Sequence, residues 1–166
     1  MLTKSGQIST AKRYRLVEQC FGSALESHGF TTDNSKTAVF WRKTEGNIYH
    51  YVVAWRAKRS PKYDILAFAH SPLLDEEFSE KHPDNIGCPM HGHVHSKRGV
   101  GFRSEKLFCR TEEGFLRDFE KRGRAMLSEH AVPFLDKIQT LNDLAPLITA
   151  VGAKEKLNKA LQPING

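Results

Sequence analysis

The stretch "IYHYVVAWRAK", at residues 48–58, constrains the fold more than any other part of the chain. Successive side chains of a β-strand point to opposite faces of a sheet, and here both alternating sets are largely apolar or aromatic. Valine, isoleucine and tyrosine are also residues that strands favour. Because a strand with two apolar faces must be covered on both sides, this one is predicted to be a central strand.

Turn signals predict the neighbours of this strand. The run "TAVFWRK" comes before it, and "EGN" at residues 45–47 separates the two, which indicates a β-hairpin. "SPK" at residues 60–62 ends the central strand, and "YDILAFAH" is predicted to be the next strand. "GCPMHGHVHSKRG" and "FRSEKLFCR" are candidates for further strands, while "GVGFRSE" at residues 99–105 is interpreted as a turn.

A helix is predicted before the sheet. Ser9 and Thr10 are suitable N-caps, and Gly29 is placed for a left-handed C-cap. Arg13 and Arg15 are assigned mostly to the polar face of this helix. Its apolar face has the three- and four-residue spacing of a helix and consists of Tyr14, Val17, Cys20, Phe21, Ala24 and Leu25.

Helices are also predicted after the sheet. A long helix begins at Thr111 and is interrupted at residues 132–134, and shorter helices follow in "PFLDKIQT" and "LNDLAPLITAV". Since the strands run together instead of alternating with helices, the fold class is α+β: an N-terminal helix, an antiparallel sheet of four to five strands, and C-terminal helices packed on the sheet. A single domain spanning residues 1–166 is predicted, with a core at about 10–150 and a short helical tail at 152–166.

Charge and cysteine content restrict the class of protein. The chain of 166 residues has a net charge of +6, and the whole excess lies in the first 60 residues, which is a weak pointer to an acidic partner. Its three cysteines do not form a disulfide framework. The N-terminus lacks the apolar region of a signal peptide, and no apolar run is long enough to cross a membrane. We therefore expect a cytoplasmic protein with no membrane contact.

The segment from Cys88 to His95 is the densest group of metal-ligand residue types. Cys88 and His91 have a C-x-x-H spacing, and His91, His93 and His95 alternate. Neighbouring histidines of that pattern can chelate one ion, but the outer pair lies about 13 Å apart on a straight strand. The sequence favours a polar strand face, and a zinc site or metal-free acid–base chemistry are the alternatives. In the zinc alternative Cys88, His91 and His93 (or His95) are the ligands, with water, His82 or a distant donor in the fourth position.

A zinc ion held in this way would support hydrolysis of a phosphate-bearing substrate. Arg98 and Arg103 would then hold the anion, and the open position would carry an activated water. No nucleophile elbow and no phosphate-binding glycine loop accompanies the segment, so no catalytic residue is assigned.

The best basic patch is "WRAKRSPK" at residues 55–62. Arg56, Lys58, Arg59 and Lys62 cluster there after Tyr49, Tyr51 and Trp55. Basic and aromatic residues together are typical of single-stranded nucleic-acid sites. Here the aromatic residues share one strand face, and an ordinary solvated loop is the favoured interpretation.

The order of several short motifs resembles a family of uncharacterised bacterial α+β domains. The residues that carry the resemblance cover about 12–148 and are "ESHGF", "AVFWRK", "NIYHYVVAWRAKRS", "CPMHGHVHSKRG" and "PFLDKIQTLNDLAPLI". The resemblance implies a helix–sheet–helix plan and brings no established activity or catalytic residue.

Three function hypotheses follow from these features. The first is a non-enzymatic module that binds a protein partner through Arg56, Lys58, Arg59, Lys62, Arg98 and Arg103, of the kind encoded beside toxins or in phage defence and counter-defence. The second is the zinc-dependent hydrolase, and the third is a nucleic-acid-binding domain.

Overall fold

A computed structural model describes residues 7–32, 38–57, 59–74, 78–81, 83, 95–96, 99–149 and 151–162. The elements confirm the predicted α+β class, with one helix before the sheet and helices after it. Within the described ranges, every helix is too short or too polar to cross a membrane.

Helix α1 (Thr10–Leu25) begins and ends where the sequence predicts. The Ser9 side chain accepts a hydrogen bond from the Lys12 backbone N–H and caps the helix. A short 3-10 turn, Glu26–His28, follows the helix. Gly29 then stops it with φ of 81°, a left-handed conformation that glycine adopts without steric cost.

The described strands form one antiparallel sheet. They are β1 (Val39–Lys43), β2 (Tyr49–Trp55), β3 (Lys62–His70), β4 (His95–Ser96), β5 (Gly99–Arg103) and β6 (Leu107–Phe108). Their order is β1-β2-β3-β5-β4, and β6 pairs with the start of β3. The predicted hairpin is confirmed, with Phe40 opposite Val52 across β1 and β2.

The prediction of a turn at residues 99–105 is wrong, because β5 occupies residues 99–103. Gly99 pairs with His70, and Gly101 pairs with Phe68. The backbone pairing therefore places both glycines within a strand, so they do not mark a turn.

The helical region after the sheet is more continuous than predicted. Helix α2 (Glu112–Asp118) leads through two π-helical segments, Phe119–Gly123 and Met126–Ala131, into α3 (Val132–Asp136). The interruption predicted at residues 132–134 does not occur. A proline ring clashes with the carbonyl four residues earlier in a regular α-helix, and the wide turn before Pro133, bonded from the Val132 N–H to the Leu127 carbonyl, relieves that clash.

Two short helical segments and one longer helix complete the chain. They are α4 (Leu141–Leu144), a 3-10 turn at Ala145–Leu147, and α5 (Val151–Ala160). Thr140 and Asp143 form a capping box at the start of α4. The capping box accounts for a helix beginning at Leu141, directly after the polar connection from α3.

The two faces of the sheet are covered differently. The helices cover one face with a large apolar cluster that includes Phe21, Ile65 and Phe119. On the other face, a smaller aromatic cluster is centred on Tyr51 and Phe68, with Phe78 packed against it. The predicted two-sided coverage of β2 is therefore confirmed, and five of its seven residues are buried.

Candidate functional site

Three chain segments meet at the β2–β3 turn. The turn closes with a hydrogen bond of 3.0 Å from the Ser60 N–H to the Ala57 carbonyl. The Cys109 N–H donates to the Pro61 carbonyl at 2.9 Å, and the Ile8 N–H donates to the Arg110 carbonyl at 3.0 Å. These backbone bonds bring the start of the chain, the turn and the connection from β6 to α2 together.

A cavity of about 240 Å³ lies at this junction. We call it the arginine cavity, and its described lining residues are Gln7, Arg13, Arg56, Arg59, Ser60, Pro61 and Arg110. No acidic side chain is among them. Four arginines therefore line a small space without an acidic residue in the described lining.

Local structure fixes the orientation of two of these arginines. Arg56 donates from Nη1 to the Ser60 carbonyl at 2.9 Å, so its side chain folds back over the turn. Arg59 has φ of 64°, a left-handed conformation that costs a non-glycine residue about 1–2 kcal/mol. The fold thus holds Arg59 in an unfavourable backbone conformation at the rim of the cavity.

Arg13 is the most buried of the four arginines, with 9% of its surface exposed. Its Nε is buried and has no hydrogen-bond partner among the residues that the structure describes. Burial lowers the pKa of Arg13 below its ordinary value, and the nearby charge of Arg56 lowers it further. Both effects express the free-energy cost of a buried cation without a counter-ion.

Cys109 lies beside the arginine cavity but is not a nucleophile. Its thiol is fully buried and contacts the Arg13 side chain. Burial raises the pKa of Cys109, although Arg13 and Arg56 act in the opposite direction. A buried thiol with a raised pKa stays protonated at neutral pH, and the thiolate is the reactive form.

The structure separates the residues that the sequence placed in one basic patch. Arg56 and Arg59 line the arginine cavity, whereas Lys62 begins β3 and is not in the cavity lining. Lys58 and Arg98 lie outside the described residues.

Arg103, another predicted binding residue, is already paired within the fold. Its Nη2 lies 2.6 Å from a carboxylate oxygen of Asp64, whose side chain is buried. The Arg103 guanidinium also lies 5.4 Å from the centre of the Trp55 ring. This ion pair raises the pKa of Arg103 and holds its charge on the sheet.

The aromatic residues near the predicted patch are not available for stacking. Tyr49 and Tyr51 are buried in the aromatic cluster of the sheet, and the Tyr51 hydroxyl donates to the Pro83 carbonyl at 2.8 Å. Trp55 is partly buried and packs against the same cluster beneath Arg103.

The predicted metal ligands Cys88, His91 and His93 lie outside the described residues. His95 begins β4, where its backbone pairs with Val100 of β5. Among the residues that are described, no group of three or more potential ligands could hold a metal ion.

Arg13 and Arg110 belong to the site but were not predicted for it. The assignment of Arg13 to the polar helix face is wrong, because Arg13 is buried together with Leu16, Val17 and Cys20. The spacing from Arg13 to Val17 is four residues, which places both on one face of a helix. This four-residue spacing from the apolar face was the signal in the sequence that Arg13 could be buried.

A second polar cluster, in which only His50 is fully buried, lies at the opposite end of β2, where the β1–β2 turn meets the end of α3. Arg42 donates to Asp136 at 2.6 Å, to the His28 carbonyl at 2.8 Å and to His50 Nδ1 at 3.0 Å. His50 Nε2 donates to the Ile138 carbonyl at 2.6 Å. We call Arg42, His50 and Asp136 the tether cluster, because they join the hairpin to the helical layer.

Comparisons with protein-family models, with curated proteins and with solved structures found no significant match to this chain. The resemblance to uncharacterised bacterial α+β domains therefore stays a prediction.

Proposed function

We propose that this chain is a cytoplasmic, non-enzymatic binding module that holds an acidic group of a protein partner in the arginine cavity. The observation that carries the proposal is the buried side chain of Arg13, whose Nε has no acceptor among the described residues. A buried charge is normally paired, because removing it from water costs several kcal/mol. An anion from outside would supply the missing partner.

The charges around Arg13 support an anionic ligand. Arg56, Arg59 and Arg110 line the same cavity, and none of the four arginines forms an ion pair with another described residue. Like charges gathered in one cavity repel each other, and an anion between them offsets that repulsion. Guanidinium groups also bind carboxylates through two parallel hydrogen bonds.

The shape of the cavity favours a single acidic group of a protein over a nucleic-acid strand. Its volume of about 240 Å³ is smaller than the roughly 300–1,000 Å³ of ordinary small-molecule sites. Proteins that follow a nucleic-acid strand combine a long basic groove with exposed aromatic rings. Tyr49, Tyr51 and Tyr63 are buried, and Trp55 is partly buried.

The cytoplasmic assignment is supported by the cysteines. Cys20 and Cys109 are both free and both buried, so their thiols serve as packing groups of the core. Free thiols persist in reducing compartments, where disulfides are rare. The zinc-hydrolase hypothesis stays a prediction, because the ligands it needs lie outside the described residues.

The proposal is tested with a short acidic peptide that is acetylated and amidated, so that only its Asp and Glu side chains carry charge. Fluorescence anisotropy measures its binding to the wild-type protein and to the Arg56→Ala, Arg59→Ala double variant. We expect the double variant to bind at least about tenfold more weakly, since two charge-assisted contacts are lost.

Arg15→Ala is the matched control, because Arg15 is exposed on the same helix as Arg13 and does not line the cavity. It removes one positive charge and should leave the affinity within about twofold. The proposal fails if wild type binds neither this peptide nor a peptide with a free carboxy-terminal carboxylate, or if Arg15→Ala weakens binding as much as the double variant. It also fails if a single-stranded oligonucleotide binds more tightly than the peptide, with a steep salt dependence.

A further inference from the structure

A second cavity, mainly apolar, adjoins the arginine cavity. It has a volume of about 340 Å³ and lies between α1 and the sheet. Its apolar lining includes Tyr14, Val17, Ala54 and Phe115. Arg13 and Arg56 line this apolar cavity as well as the arginine cavity, so the two spaces have a common wall that carries both charges.

This arrangement defines the chemistry of a ligand. A carboxylate at the common wall would contact Arg13 and Arg56, and a group attached within one or two bonds of it would enter the apolar cavity. A side-chain carboxylate of Asp or Glu has no apolar branch beside it. The carboxy-terminal residue of a protein does, because its carboxylate and its side chain are both attached to Cα.

We infer that the site recognises the carboxy-terminal residue of a partner protein, with its carboxylate against Arg13 and Arg56 and an apolar side chain in the adjoining cavity. This inference rests on the proposed function and names the acidic group that the partner supplies. The size of the apolar cavity agrees with one large side chain, since it is at the lower end of the range for ligand sites.

Charge complementarity favours a carboxy-terminal residue with an apolar side chain over other ligands. A purely apolar segment would leave the unpaired Arg13 without a counter-ion, and burying the cation further would cost free energy. A purely acidic segment would fill the arginine cavity and leave the apolar one empty. A terminal residue with an apolar side chain satisfies both spaces at once.

The test uses three short, otherwise uncharged peptides in calorimetric titrations. One ends in leucine with a free carboxylate, the second in leucine amide, and the third in serine with a free carboxylate. We expect the leucine acid to bind at least about tenfold more tightly than either of the others. The amide lacks the charge that meets the arginines, and serine lacks the apolar side chain whose burial favours binding.

Two variants then test which cavity is responsible for the preference for acid over amide and which for the preference for leucine over serine. Arg13→Met should abolish the preference for acid over amide, and Ala54→Leu should reduce the leucine-to-serine affinity ratio to about one by filling the apolar cavity. Arg15→Ala is again the control and should keep both ratios. If either variant fails to fold, the wild-type peptide series alone still decides.

The outcomes separate this inference from the proposed function. Equal binding of all three peptides overturns the inference, and the proposed function survives if the capped acidic peptide still binds. Both are overturned if neither these three peptides nor the capped acidic peptide binds. If free 4-methylpentanoate binds as tightly as the leucine acid peptide, the occupant is a small carboxylic acid and the assignment to a protein terminus is overturned.

Discussion

An arginine lies at each end of strand β2, Arg42 partly buried and Arg13 buried, and the two have opposite surroundings. At the end near the β1–β2 turn, Arg42 has an acceptor for Nε, Nη1 and Nη2, and its guanidinium lies 4.5 Å from the centre of the Phe30 ring. At the end near the β2–β3 turn, Arg13 has a buried Nε without an acceptor among the described residues.

The difference separates a structural role from a binding role for the same chemical group. The partners of Arg42 come from β2, α3 and the end of the first helical segment, so its charge joins three parts of the fold. The neighbours of Arg13 include the like charge of Arg56, which lowers its pKa. Removing one partner of an ion pair inside a protein destabilises the fold, whereas a buried cation without an ion-pair partner among the described residues is held in place by the fold and is available to a ligand.

The largest expected loss of stability comes from moving the β1–β2 turn, which lies beside the tether cluster, away from the helical layer. A Cβ added at Gly46 would lie 3.0 Å from the Thr140 Cα and would also clash with the Gln139 carbonyl oxygen. Since both are backbone atoms, relief requires the turn to move away from the helical layer. We expect Gly46→Ala to lower the free energy of unfolding by about 3 kcal/mol, measured by urea denaturation.

Gly22→Ala is the control for this change. No atom lies within 4 Å of a Cβ added at Gly22, which is an interior position of α1. Because alanine has a higher helix propensity than glycine, this variant should be more stable by up to about 1 kcal/mol. A loss below about 1 kcal/mol in Gly46→Ala would show that the turn is not held firmly against residues 139–140.

A matched pair of substitutions tests the comparison of the two arginines directly. Arg42→Met removes the counter-ion of Asp136 and a donor to His50, and breaking a buried pair costs about 3–5 kcal/mol. The side chain of Asp136 is 55% exposed, so we expect a smaller loss of about 2–3 kcal/mol in the free energy of unfolding.

Arg13→Met should have no such effect. Methionine keeps much of the side-chain length and removes a buried charge that has no ion-pair partner among the described residues, so the free energy of unfolding should stay unchanged or rise by about 1 kcal/mol. The measurement is urea denaturation of both variants beside wild type. If Arg13→Met destabilises the protein as much as Arg42→Met, then Arg13 has a structural partner and the proposed site loses its basis.

The smallest of the three effects is a dependence of stability on pH that comes from His50. Burial lowers the pKa of His50 to about 4, and the charge of Arg42 acts in the same direction. Between about pH 4 and the ordinary value of 6.5, the unfolded chain binds a proton at this residue and the folded protein does not. The contribution of His50 is therefore complete above pH 6.5 and is lost as the pH falls towards 4.

We expect wild type to lose about 2 kcal/mol from this group between pH 7 and pH 5. His50→Gln provides the reference, because glutamine can accept from Arg42 and donate to the Ile138 carbonyl without titrating. Urea denaturation of both proteins at the two pH values gives the difference. Equal losses in wild type and in the glutamine variant would mean that His50 does not stay neutral in the folded protein.

Local patterns predicted most of the fold. The Ser9 and Gly29 caps, the turn at residues 44–48 and the β1–β2 pairing depend on short-range chemistry that the sequence displays. Asn47 adopts φ of 61° in that turn, a conformation that asparagine tolerates better than most residues. The misassigned strand β5 and the uninterrupted helix at Pro133 depend on cross-strand neighbours and on a widened turn, and no local pattern reports those.

The site was only half visible in the sequence. Arg56 and Arg59 stood out as a basic cluster, but their importance depends on Arg13 and Arg110, which are distant along the chain. Arg103, which stood out equally, is paired with Asp64. Composition shows which charges exist, and only the packing shows which of them have acceptors.

The sequence by itself determined the α+β class, the central position of β2 and the main helix and strand starts, because hydrophobic periodicity and capping act between near neighbours. The tertiary structure alone decided which of the two cations, Arg13 or Arg42, is paired. Arg42 and Asp136 are 94 positions apart in the chain, and the arginine cavity forms where three separate segments meet. Electrostatic pairing depends on distance in space, so the binding role of one arginine and the structural role of the other are set by the fold.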